Sequence, residues 1–126
     1  MSQLAPTHMI AADRIHAEVH FTIGGFWTGK AMRDFLHELG EAAKPFMRAQ
    51  VPWSALGDLS EFVPQDRETA GAIRDSLVAG RRNGLQRFAV VTQSAMVKMQ
   101  YRRITEGLEV EFFDEPRAAR AWLRAR

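Results

Sequence analysis

The run RFAVVT, residues 87–92, sets Phe88, Ala89, Val90 and Val91 in unbroken succession, so a strand built from it has no polar face. A short β-prone stretch of this kind belongs inside a sheet that is covered on both sides. In a chain with helical segments between its strands, that means a mostly parallel sheet joined by crossover helices. Residues 87–92 are therefore expected to form an interior strand.

The remaining segments fit that frame. RIHAEVHFTI alternates, with Ile15, Ala17, Val19, Phe21 and Ile23 on one side and His16, Glu18, His20 and Thr22 on the other, the pattern of a strand with one wet face. After the turn residues GGFWTG, apolar Ala31, Phe35, Leu39, Ala42, Ala43 and Phe46 recur at helical spacing, which predicts a helix over about residues 28–44, ending before Pro45. VPWSALGDL predicts a strand ending at Asp58, and Ala70, Ile73, Leu77 and Val78 predict a helix that closes at Asn83 and Gly84. Ser94 or Thr92 can cap a helix over SAMVKMQYRRIT, with Gly107 ending it. EVEFF reads as a further strand, and Asp114, Glu115 and Pro116 as the opening of a last helix whose Ala119, Trp122 and Leu123 face the core. The expectation is one α/β domain over residues 14–126, with a mostly parallel sheet of four to five strands and four helices, preceded by a flexible segment over residues 1–13.

A chain of 126 residues is long enough for one core and short for two. No apolar run approaches a membrane span, and the N-terminal MSQLAPTHMIAADR lacks the charged start and apolar stretch of a secretion signal, so the cytoplasm is the expected location. The absence of cysteine excludes disulfides, thiolate metal sites and thiol nucleophiles, and is compatible with a reducing compartment. Net charge is only +2 but uneven: residues 1–80 carry 7 Lys/Arg against 10 Asp/Glu, and residues 81–126 carry 10 against 5. Nine of those ten cations are arginines dispersed over helices and helix ends without interleaved exposed aromatics, a pattern that argues for solvated faces rather than a nucleic-acid surface.

Catalytic and metal motifs are weak. His16 and His20 share a strand face, but four residues of strand separate them by about 13 Å, too far to bind one metal directly. TIGGFWTGK has glycines and Lys30 before a helix, but its spacing fails the phosphate-loop pattern and Ala31 stands where a hydroxyl is required. No G-x-S-x-G occurs. No enzyme activity, cofactor or metal is expected. Trp27, Trp53 and Trp122, with Met96 and Met99, are expected in or near the core, and Trp27, Trp53, Met96 and Met99 are the candidate lining of an apolar pocket.

The order of elements, with the strings VHFTIGGFWTGKAMRDFLHEL, LGDLSEF, RFAVV and VEFFDEPRAARAWL, resembles the STAS superfamily, the sulfate-transporter and anti-sigma-factor-antagonist domain, and within it the sporulation stage II AA-like (SpoIIAA-like) branch. The resemblance runs from about Arg14 to Arg126. It implies a compact α/β domain without cofactor or catalysis, in a superfamily that binds regulatory proteins and whose related folds hold lipids or other small ligands. In the phosphoregulated antagonists, an Asp ends a strand, a second Asp follows eight residues on, and a phosphoacceptor Ser or Thr comes directly after it. Asp58 and Asp66 match that spacing, but Arg67 occupies the acceptor position and has no oxygen to phosphorylate. Asp66 is then expected to cap the helix, with Glu68 a favourable first-turn anion, and Ser60 and Thr69 remain as weaker acceptors.

The combined expectation is a regulatory module that binds a protein partner through Asp58, Ser60, Asp66, Arg67, Glu68, Arg74 and Asp75. The alternative is a carrier or sensor of an apolar small molecule or lipid.

Overall fold

The computed structural model describes residues 4–125. Its elements are β1 (Thr7–Asp13), β2 (Glu18–Gly25), α1 (Gly29–Ala49), β3 (Trp53–Phe62), α2 (Arg67–Arg82), β4 (Leu85–Val91), α3 (Ala95–Ile104), β5 (Val110–Phe113) and α4 (Pro116–Arg124). The five strands lie in chain order, β1 antiparallel to β2 and every later pair parallel.

Three successive crossovers, β2–α1–β3, β3–α2–β4 and β4–α3–β5, advance across the sheet in one direction. With a common crossover hand, that advance puts α1, α2 and α3 on the same face. There Val19, Phe21, Ile23, Phe35, Ile73, Phe88, Val97 and Tyr101 join one core. Among the described residues the opposite face is covered only by α4, whose Ala119 and Leu123 pack on Leu56, Ala89 and Val91. The interior placement of residues 87–92 follows: β4 is paired on both sides, and Ala89, Val90 and Val91 are fully buried.

Helix starts are built as their sequences suggest. Thr28, Asp66, Ser94 and Glu115 each accept a hydrogen bond from the backbone N–H three residues on. Pro116 then occupies the first turn of α4, where a missing N–H costs nothing. Gly84 has φ of 103°, a left-handed conformation suited to glycine, whereas Asn83 does not adopt it.

Several expectations are corrected. Residues 7–13 of the supposed flexible segment form β1, paired without interruption from Thr7↔Gly24 to Asp13↔Glu18; residues 1–3 lie outside the described residues. The chain turns tightly between the two strands, with Ala17 at φ 53°, so the alternation does not extend back to Ile15, which is 91% exposed. Helix α1 continues through Pro45 to Ala49. The ring lies on the exposed side, and the extra turn brings Phe46 into the core, which offsets the lost backbone bond. Strand β3 runs four residues beyond Asp58 because its partner β2 extends past the end of β4, pairing Gly24 with Glu61 and Gly25 with Phe62.

Candidate functional site

Between α1, α2 and the sheet lies a cavity of about 360 Å³, partly open to solvent. Its floor is Val19, Phe21 and Ile23 of β2, Ala55 of β3 and Phe88 of β4. Its walls are Met32, Phe35 and Met47 of α1, Ile73 and Leu77 of α2, and Tyr101 of α3. The same core periodicity that drives folding therefore makes the lining apolar. The gap persists because Gly40 and Ala43 on α1, and Ala79 on α2, are too small to fill it, whereas Gly80 lies close against Leu85. A Cβ added at Gly40 would meet nothing within 4 Å. Polar groups border the opening: His37, Glu41, Lys44 and Asn83, with Lys44 bonded to Glu41 at 2.7 Å. Burial pushes the Tyr101 phenol well above its ordinary pKa, so this wall residue stays neutral.

Of the aromatic and methionine residues singled out in the sequence, only Trp53 reaches this cavity. Trp27 is buried elsewhere, its indole N–H donating to the Gly24 carbonyl at 2.8 Å and its ring against Phe35. Met96 and Met99 are 68% and 57% exposed, which removes them from both core and pocket. Helix α3 turns Val97, Tyr101 and Ile104 inward, one apolar stripe being all that a ten-residue helix on one face of the core requires. The methionines in the lining are Met32 and Met47.

The loop leading into α2 is held rigidly. Gln65 accepts from the Trp27 N–H at 2.8 Å and donates to the Gly25 carbonyl at 3.0 Å, tying the loop to the start of α1. Gln100 of α3 clasps the Gln65 backbone from the other side, accepting from its N–H and donating to its carbonyl, both at 2.8 Å. These glutamines had no sequence signal, because the contacts span 35 to 40 residues. Asp66 caps α2 through the Thr69 N–H at 2.9 Å. Glu68 packs its carboxylate against Gly29 and bonds Arg33 at 3.0 Å, supplying the negative charge that the first turn of α1 lacks. Arg74 donates to the carbonyls of Ile104 and Glu106 and so closes the C-terminal end of α3. Thr69 is fully buried, its hydroxyl bonded to the Trp27 carbonyl, which removes it as an accessible acceptor. Ser60 is exposed and donates to Asp58 at 2.6 Å. Arg67 and Asp75 are exposed at the start and middle of α2.

A charged cluster lies on the other sheet face. Glu18, only 2% exposed, takes Arg124 on both oxygens, at 3.2 and 3.1 Å, and His20 at 2.8 Å. Burial raises the Glu18 pKa, but Arg124 and His20 outweigh it and hold the carboxyl below its usual range. Asp13 is lowered chiefly by its hydrogen bonds from His16, with which it forms a 2.9 Å pair. Ligand atoms of Asp13, Glu18 and His20 come within 4.8 Å of one another, but the Arg124 guanidinium already occupies the space before both carboxylates, so the cluster reads as a clamp for α4. Arg87 holds the same helix, donating to the carbonyls of Trp122 and Ala125 and stacking 5.0 Å from the Trp122 ring.

Comparison with known proteins places this architecture. The sequence profile of the SpoIIAA-like family matches residues 19–124. The chain belongs to the SpoIIAA-like family. Among solved structures it is similar to an uncharacterized protein from the DUF3478 family with a SpoIIAA-like fold, from Shewanella loihica PV-4. That likeness has a TM-score of 0.65 and 22% identity over 94% of this chain and 95% of the other, and it bears on the fold alone. No curated protein matches the chain. Among the described residues of this SpoIIAA-like chain, no helix is long and apolar enough to cross a membrane.

Proposed function

We propose that this SpoIIAA-like domain is a non-enzymatic binding module that holds an apolar small molecule between α1, α2 and the sheet, in the reducing compartment that a cysteine-free chain suits. The observation that carries the reading is the cavity itself. A volume of about 360 Å³ falls in the range of small-ligand sites, its lining is mostly aliphatic and aromatic, and its charged groups are gathered at the opening. Apolar lining left facing water is costly, and a ligand that covers it recovers about 25 cal/mol per Å² of apolar surface. A ligand with an apolar body and one polar end suits such a site.

A second reading, a regulatory protein-binding module without the usual phosphoacceptor, is favoured by the charges on α2. Asp66, Arg67, Glu68 and Asp75 are exposed on a helix whose entry is pinned by Gln65 and Gln100. Such preorganisation lowers the ordering cost of association. Asp58 and Ser60, bonded to each other, lie at the near end of β3. Arg74 drops out of this surface as a free charge because α3 uses it.

Purification from the native cell, followed by mass spectrometry of the protein and solvent-extracted fractions, separates the readings. The ligand reading expects a stoichiometric apolar compound in the extract, which disappears from Ala43→Leu protein. A stoichiometric protein partner with an empty extract, lost on Arg67→Glu, would replace it with the second reading.

A further inference from the structure

Strand β1 is an edge without protection along its own length. Its seven residues pair with β2 in unbroken register, without a bulge, and its other side pairs with no described element. In an antiparallel ladder, every second residue of such an edge directs its N–H and C=O outward, where they template another strand. The sequence THMIAAD contains no Lys, Arg or Pro, its one acidic residue is at the end, and the nearest proline, Pro6, stands just before it. The opposite edge of the same sheet is guarded: β5 has only four residues, carries Glu111 at its centre, and is flanked by Glu109, Asp114 and Glu115. Short length and charge are the usual means of blocking edge pairing, and only one of the two edges has them.

The composition of β1 also names its partner. Folded about a two-fold axis at Ile10, the strand sets Ile10 against itself, Met9 against Ala11, His8 against Ala12 and Thr7 against Asp13. Met9 and His8 then each face an alanine, Ile10 meets its own copy on the axis, and no charge faces a like charge. Met9 is 66% exposed, Ala11 and Ala12 are exposed, and Ile10 leans on the core. We propose that β1 pairs antiparallel with β1 of a second copy of this chain, joining the two five-stranded sheets into one symmetric dimer with Ile10 on the axis. Such an interface is isologous, each Met9 meeting the other copy's Ala11.

Sedimentation velocity and light scattering on the unaltered protein across a wide concentration range read the assembly. The expected mass rises with concentration toward twice the 14.3-kDa chain. Met9→Lys with Ala11→Lys puts two lysines opposite each other twice over, and dimerisation should weaken by about tenfold or more. Met9→Lys with Ala11→Glu places opposite charges in the same pairs and should restore affinity to within a few-fold of the unaltered chain. Because both positions are exposed, circular dichroism of the variants should match the unaltered protein. Amide exchange of residues 7–13 in the unaltered protein should slow as concentration rises. A chain monomeric throughout, a Lys/Lys variant that dimerises normally, a Lys/Glu variant as weak as Lys/Lys, or exchange of residues 7–13 indifferent to concentration would each overturn the pairing.

Discussion

Replacing Ala43 by leucine tests whether the space between α1 and α2 is real. Ala43 is 1% exposed and lines the cavity, so three added carbons would enter a void of about 360 Å³ without displacing a neighbour of comparable size. Burying them is worth about 0.8 kcal/mol each, or about 2.4 kcal/mol together. Fixing the leucine rotamer costs about 0.5–1 kcal/mol, which leaves a net gain of about 1.5 kcal/mol. In a domain of this size that corresponds to a melting temperature about 4–7 °C higher, measured by calorimetry on protein first stripped of any ligand by refolding from denaturant. In a filled core the same change would overpack and destabilise by about 1–3 kcal/mol. The sign alone decides: a lower melting temperature for Ala43→Leu would show that α1 closes on the sheet.

Other perturbations address other parts of the account. Val90→Asp buries an unpaired carboxylate in a fully covered strand and should cost about 3–5 kcal/mol, read as lost solubility or a collapsed thermal transition; a soluble variant with unchanged melting would contradict the placement of β4. Gln65→Leu removes the partners of the Trp27 N–H and the Gly25 carbonyl and should cost about 2–6 kcal/mol in urea unfolding, since each orphaned buried group costs about 1–3 kcal/mol. Asp13 and Glu18 both have folded-state pKa values below their ordinary 3.8 and 4.5, so the unfolded chain binds protons first as pH falls. Their stabilisation should be complete above about pH 5 and be lost below it as pH drops through the lowered folded values, and the Glu18 share of this acid sensitivity should diminish in Arg124→Ala, as followed by unfolding at stepped pH.

Much of the fold was legible because it follows from local patterns. The unbroken apolar run in β4, the helical spacing in α2 and the caps at Asp66 and Ser94 each depend on neighbours a few residues apart, and each is built as expected. Strand β1 was not legible, because an edge strand exposed along most of its length has no buried face to impose alternation. Met96 and Met99 misled for the opposite reason: apolar side chains suggest burial, yet a three-residue stripe already satisfies the inward face of α3. The Glu18–Arg124 clamp joins residues 106 positions apart and the Gln65–Gln100 clasp residues 35 apart, so neither has a spacing to recognise. The cavity was hidden in plain sight, since its lining residues are the ones periodicity assigns to the core. Only packing reveals that Gly40 and Ala43 fail to fill the space between two helices.

The most direct test of apolar ligand binding uses the indole that sits at the cavity. Trp53 lines it, Trp27 packs against Phe35 outside it, and Trp122 lies on the other sheet face against Phe113. In a Trp27→Phe, Trp122→Phe background, Trp53 is the one indole left and is excited selectively over Tyr101, and a brominated fatty acid quenches only on contact. Saturable quenching at micromolar probe, abolished by Ala43→Leu, is the predicted result; Trp53 fluorescence that does not respond, or that is quenched equally in Ala43→Leu protein, would contradict it.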